Sequence, residues 1–251
     1  IMPTMNVGIS SVTSTIFCWV RLAMILTSPT LAVMSTVETL PIGIMTDSTW
    51  SRDMLLRLAQ ENGIVPPPIE ICPLTPDPRL TDVGPDEPPG REPPTLLHLG
   101  SRLPHKRTRE TVELFRYFNR ARGLAWRLRI VGLSRFPEEW GLAPGQGVEL
   151  LGTLSNTELR REMREARALL LLSSVEGFGL PALDAWFLGT PVCYRAAAAL
   201  GEILQGVPGA CEGWGAEDFG RALDQVLALD APQRAAHAER LRSRFGADRF
   251  G

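Results

Sequence analysis

The 251-residue chain is poor in the residues that build metal and redox centres, with three histidines and four cysteines. His98, His105 and His237 are dispersed, and Cys18, Cys72, Cys193 and Cys211 stand singly among apolar neighbours with no CxxC pair. Zinc-ligand and dithiol spacings are absent, so the cysteines read as buried reduced thiols of a cytoplasmic protein that needs no metal. Excess charge is lacking as well: 26 Lys and Arg against 28 Asp and Glu leave a formal charge of −2. With no basic surplus there is no electrostatic case for a nucleic-acid partner. A clean membrane span is also missing. The most apolar run of the N-terminal region, residues 16–26, is broken by Arg21, and it falls short of the ~20 residues that cross a bilayer. A positively charged leader is not found before it. The first 45 residues, whose charges are Arg21 and Glu38, read as a buried segment of a folded domain, with a membrane-surface helix as the alternative.

What the chain does hold in quantity is proline in one place, with eleven between Pro66 and Pro94. Rings that fix φ and lack an N–H build neither a helix nor a central strand, so this stretch is a connector. The boundary falls at residues 74–94, separating a first unit, 1–73, from a second, 95–230, followed by a terminal helix in 231–251. The overall composition, 44% apolar and 22% charged, is that of a globular protein long enough to bury a core without covalent staples.

After the connector the pattern becomes regular. Apolar runs at 95–100, 128–132, 148–152, 168–172 and 191–194 predict strands. Helical periodicity marks 107–122, 180–188, 216–229 and 231–245. A capping box, Ser155 with Glu158, starts a further helix at Asn156. Strands alternating with helices at this spacing predict an α/β fold, a Rossmann-like doubly wound parallel sheet. No internal repeat is visible, and the Arg-rich stretch 234–249 reads as the solvated face of the terminal helix.

Ligands of such sheets sit beyond the carboxyl ends of the strands. Two loops there hold unusual residues. The segment 173–184, SSVEGFGLPALD, runs from a buried strand into a helix. Gly177 and Gly179 allow close backbone approach, and Pro181 suits the first helical turn. Free amides and the helix dipole make that turn a seat for phosphate. Glu176 precedes the helix and Asp184 lies inside it, ~6 Å up the axis at the helical rise, so the two carboxylates reach opposite ends of a nucleotide sugar. Taken alone, two acids near a helix start are more often dipole partners. The second loop carries Arg102 and Lys106 after Gly100, two cations able to neutralise a diphosphate, although such residues are commonly solvated charges.

The string EGFGLPALDAW, acid, seven residues, acid, resembles the signature of the retaining glycosyltransferases of family four, group 1, in the GT-B class. The resemblance extends through LLHLGSRLPHKR at 96–107, RIVG at 129–132, the run from 148 into the signature, and GTPVCYRAAAALGEIL at 189–204, with Glu202 in the family's acidic position. It covers essentially all of 95–230 and implies a retaining hexosyltransferase type of enzyme that takes a nucleotide diphosphate sugar donor and a saccharide or lipid-linked acceptor. It implies a role in cell-surface polysaccharide assembly for a cytoplasmic protein peripheral at the inner face of the membrane, with no metal or other cofactor. It also implies roles. Glu176, Lys106 and Arg102 would be catalytic, with Glu176 at the donor sugar and the cations at the diphosphate. Gly100, Gly152, Phe178, Gly179, Leu180 and Asp184 would bind the donor, Asp184 at the ribose and the loops around Gly132 and Gly152 at the base. Asp184 stands where the family usually has Glu, so it must sit closer to a ribose hydroxyl. His105 reads as a surface residue. Residues 44–53, followed by IEICPL, resemble the end of the family's N-terminal domain, a strand entering a Ser-capped helix and then another strand. The Gly-rich first loop and acceptor-side residues are not found upstream. The alternative expectation is therefore a truncated donor-binding module without turnover.

Overall fold

The computed structural model describes residues 43–76, 92–143 and 145–246. Most of the proline-rich connector, the segment 1–42 and Cys18 lie outside the described residues. The first unit is small: β1 (Ile44–Thr46), α1 (Thr49–Glu61) and β2 (Ile69–Ile71), with the two strands paired in parallel. Ser48 caps α1 by accepting from the Ser51 N–H, as the sequence pattern predicts.

The second unit carries β3 (Thr95–Leu99), α2 (Thr108–Ala121), β4 (Arg127–Val131), β5 (Val148–Gly152), α3 (Asn156–Glu165), β6 (Ala168–Leu171), α4 (Leu180–Phe187), β7 (Val192–Arg195), α5 (Ala198–Ile203), β8 (Ala210–Cys211), α6 (Ala216–Leu227) and α7 (Ala231–Phe245). The capping box at Ser155 and Glu158 forms with both of its hydrogen bonds. The strands make one parallel six-stranded sheet in the order β5-β4-β3-β6-β7-β8. The chain therefore starts in the middle, builds outward one way, and returns to build the other way from β6. That order places the topological switch point between β3 and β6, where two crossovers leave the sheet in opposite directions and a crevice opens at the carboxyl ends.

Period-two alternation sends the strand residues into two cores. Leu97, Leu169 and Leu171 face a layer that includes Met163 of α3, Trp186 of α4, Leu200 of α5 and Leu241 of α7. Leu96, Leu128, Ile130 and Leu170 face Val112, Phe115 and Phe118 of α2 and Phe219, Leu223 and Val226 of α6. A strand covered on both faces reads as a continuous apolar run, and this is why 168–172 looks unbroken. The short α5 and β8 have no counterpart in the sequence reading. At six and two residues they are too short to show a period.

The cysteines depart from expectation. Cys72 is exposed, whereas Cys193 and Cys211 are buried. The latter pair, on neighbouring strands β7 and β8, bring their sulfurs to 3.7 Å, a juxtaposition that eighteen residues of separation hide in the sequence. The hydrogen bond with the Cys211 sulfur, together with burial, holds the Cys193 thiol well above its ordinary range.

Candidate donor-binding site

The crevice at the switch point is built by the loops after β3 and β6. The Lys106 ammonium donates to Glu176 Oε1 at 2.8 Å, with the side chains only 21% and 12% exposed. The two loops are stitched by backbone as well: Ser174 N–H donates to the His105 carbonyl at 2.8 Å. His105 thus contributes through its main chain. Arg102 lies on the same loop, exposed, one turn before Lys106, and forms no ion pair with any described residue.

Beneath this loop lies a relay. His98 of β3 is fully buried; its Nδ1 lies 2.9 Å from the Leu170 carbonyl on β6 and its Nε2 lies 3.1 Å from Thr108 Oγ1. A carbonyl can only accept, so Nδ1 carries the proton and Nε2 is left to accept from the Thr108 hydroxyl, whose one proton is shared with the Ser101 carbonyl, also 3.1 Å away. Ser101 N–H in turn donates to Thr108 Oγ1. Burial pushes the imidazole down to about 4, so it stays neutral and keeps this polarity. The residue after Lys106, Arg107, adopts φ of 51°, a left-handed conformation costly for a residue with Cβ. Its carbonyl, taken by the Thr111 N–H and hydroxyl, holds it there.

On the other side, α4 begins at Leu180 behind Gly179, whose φ is 96°. An added Cβ at Gly179 would sit 2.5 Å from Leu200 Cδ2, so both the backbone angle and the close packing demand glycine. The N–H groups of Phe178 and Gly179 make no backbone hydrogen bond among the described residues. They stand at the positive end of the helix dipole. Asp184 is half-buried on α4.

Toward β4 and β5 the crevice is walled by glycine instead of charge. Gly100, Gly132 and Gly152 come together at the ends of three adjacent strands: Gly100 N–H donates to Val131 O, Gly132 N–H to Gly152 O, and Gly152 N–H to Leu133 O. At Gly132, with φ of 98°, an added Cβ would approach the Gly100 carbonyl to 2.3 Å. The predicted residues Lys106, Glu176, Phe178, Gly179 and Leu180 flank the switch point, and Gly100 and Gly152 continue the same edge.

Sequence reasoning missed a further layer supplied by the small first unit. Ser48 Oγ donates to the Gly177 carbonyl at 2.8 Å, and Ser51 Oγ to Asp47 Oδ1 at 2.9 Å. From α5, Glu202 accepts the first two amides of α1, Thr49 N–H at 3.1 Å and Trp50 N–H at 3.0 Å. A carboxylate 153 residues from Thr49 in sequence thus completes the cap of α1, while Ser48 at the start of α1 grips the carbonyl next to Glu176. Burial raises the Asp47 carboxyl above its ordinary value against the lowering effect of the two serines, and the Glu202 charge adds to the rise. The Ser cap was visible in the sequence; its second partner was not, because only the fold brings residues 48 and 177 together.

Among the described residues no group of three or more His, Cys, Asp or Glu is placed to hold a metal ion, and no helix is long and apolar enough to cross a membrane. Comparison with known proteins agrees with the fold. The sequence profile of the family described as glycosyl transferases group 1 matches residues 85–244, more than half the chain. No curated protein matches it in sequence. Solved structures share the fold. A sucrose-phosphate synthase from Thermosynechococcus elongatus superposes with a TM-score of 0.61 at 18% identity, covering 82% of this chain and 55% of that one. WaaG, a glycosyltransferase involved in lipopolysaccharide biosynthesis, gives 0.59 at 19% identity, covering 94% and 64%. A glycosyltransferase from Rickettsia africae gives 0.64 at 15%, covering 83% and 60%. The chain thus spans between 55% and 64% of the length of these three structures. With the doubly wound sheet, the charged crevice at its switch point and the profile match together, the chain belongs to the group 1 glycosyltransferase family and carries the GT-B fold's Rossmann-like sheet.

Proposed function

We propose that the crevice is the donor site of a retaining glycosyltransferase, one that moves a hexosyl group from a nucleotide diphosphate sugar to a saccharide or lipid-linked acceptor. The single observation that carries the reading is the Lys106–Glu176 pair at the switch point, beside the start of α4. An ammonium has three donors, so Lys106 can hold Glu176 and a phosphate oxygen together. With Arg102 it neutralises the charge that builds on the departing diphosphate, and the Phe178, Gly179 and Leu180 amides add the helix dipole. Glu176 is left to orient the donor sugar. Asp184 accepts from the ribose, and the glycine edge of Gly100, Gly132 and Gly152 admits the base against bare backbone.

The chemistry asks for no metal, because protein cations do the work a divalent ion would do. The setting we infer is cell-surface polysaccharide assembly, with the protein cytoplasmic and peripheral at the membrane. Residues 1–73 would be the end of the N-terminal domain and 74–94 its linker. The alternative reading is a donor-binding module that holds the nucleotide sugar without turnover. Incubation with UDP-, GDP- and ADP-hexoses plus EDTA, followed for nucleoside diphosphate release and for the anomeric configuration of product by NMR, separates the readings. Release with retention supports the enzyme. Binding without release supports the module, and an inverted product or a strict need for divalent metal contradicts the mechanism.

A further inference from the structure

A second cleft, of about 390 Å³, opens between the first turns of α2 and the loop before α6, a volume within the range of small-ligand sites. Glu110, Glu113, Leu114 and Tyr117 line one wall, a stripe at helical spacing along α2. Arg107 and Trp214 close the other end. Tyr117, one of the chain's two tyrosines, is 54% exposed and Trp214 is 38% exposed, so two large aromatic rings that folding would ordinarily cover border the same opening. Trp214 is held in place: the guanidinium groups of Arg107 and Arg195 lie 5.1 and 4.8 Å from its ring centre. Arg107 is itself anchored by Glu110 at 2.7 Å, and Glu113 by Arg109 at 3.0 Å.

The lining selects a ligand class. Each of the two carboxylates is already matched by a guanidinium, Glu110 by Arg107 and Glu113 by Arg109, so the wall formed by α2 offers paired charges and no unmatched cation of the kind Lys106 and Arg102 supply for a phosphate. Carboxylates accept from hydroxyls, a guanidinium donates to ring and hydroxyl oxygens, and the exposed Tyr117 ring receives the C–H face of a pyranose, while Trp214, stacked by Arg107 and Arg195, forms the end wall. We propose that this cleft is a second saccharide site, taking a neutral oligosaccharide on the side of the sheet that carries α2 and α6. The inference goes beyond the donor reading, since its ligand is recognised by other residues through other chemistry.

The test is saturation-transfer NMR on the full chain with maltotetraose, cellotetraose and chitotetraose as probes. At least one binds, and Tyr117→Ala weakens it by about tenfold, the order expected from losing one aromatic contact, with an unchanged melting temperature because the ring is exposed. Trp214→Ala abolishes the signal. Lys106→Ala leaves it intact, which separates failure of this site from failure of the donor site. The proposal is overturned if none of the three sugars transfers saturation at tens of millimolar, if Tyr117→Ala binds as the wild type does, or if binding disappears in Lys106→Ala and persists in the Trp214 variant.

Discussion

The two halves of the sheet's carboxyl edge are made of different materials. From β3 and β6 come charge and hydrogen bonds: the Lys106–Glu176 pair at 2.8 Å, the His98–Thr108 relay below it and the Ser48 contact to Gly177 beside it. From β4 and β5 comes bare backbone, with Gly132 so close to the Gly100 carbonyl that no side chain fits. A ligand that spans both halves must be charged at one end and flat and closely apposed at the other. The charged half is over-determined, with Lys106, Glu176, His98 and the Gly177 carbonyl each held by a partner from another element, whereas the glycine half relies on the absence of atoms.

That contrast can be broken from either side. The largest effect belongs to the charged half. Lys106→Ala lowers donor turnover by on the order of a hundredfold, the typical loss for one charged donor at a developing negative charge, read from the rate of diphosphate release. Glu176→Gln also depresses turnover, while Asp184→Asn raises the KM for the donor and leaves kcat near its wild-type value. A fall in kcat at constant KM for Asp184→Asn would reverse the roles of the two carboxylates.

Next comes the buried relay. The folded imidazole of His98 ionises near 4, below its ordinary 6.5, so as pH falls the unfolded chain takes up the proton first and stability drains away between those values. The loss reaches roughly 3 kcal/mol by the lower limit, measured by denaturant titration across pH. The neutral variant His98→Gln flattens that part of the profile; a profile unchanged from wild type would show that another group drives it.

In the glycine half, Gly132→Ala forces a side chain into φ of 98° against a carbonyl. It destabilises by about 1–3 kcal/mol, visible as a lower urea midpoint, and weakens nucleotide binding while Lys106 stays intact. The smallest effects are at the supporting layer. Glu202→Ala uncaps α1 at a cost of about 1–2 kcal/mol and Ser48→Ala about 1 kcal/mol. Because the Ser48 hydroxyl itself holds the Gly177 carbonyl, donor affinity should fall further in the Ser48 variant than its stability loss alone would give.

How much of this could be read from the sequence follows from where each signal is stored. Local signals were all legible: the capping box at Ser155, the Ser48 cap, the buried runs of β3 and β6, and the glycine-flanked acid at 176–179. Each needs only neighbours within one turn or one strand. The resemblance assigned Lys106 and Glu176 to two parts of one donor, but their direct ion pair had no signal in the sequence. What stayed hidden is tertiary. Nothing within a few residues of Glu202 announces that it will cap a helix at Thr49, nothing near Cys193 announces Cys211, and the buried state of His98 shows only when Leu170 and Thr108 close on it. The exposed Cys72 corrects the reading of all four thiols as buried, since a residue after a three-strand-residue β2 at the edge of a two-stranded sheet has little to cover it.

The central claim is that the two halves act on one ligand, a nucleotide diphosphate. Isothermal titration calorimetry with UDP, GDP and ADP in the presence of EDTA, run on the wild type, Lys106→Ala and Gly132→Ala, tests it most directly. The account predicts that at least one nucleotide binds the wild type without metal and that both variants weaken it, one from each half. No heat with any nucleotide at millimolar concentration, or undiminished binding in both folded variants, would contradict it.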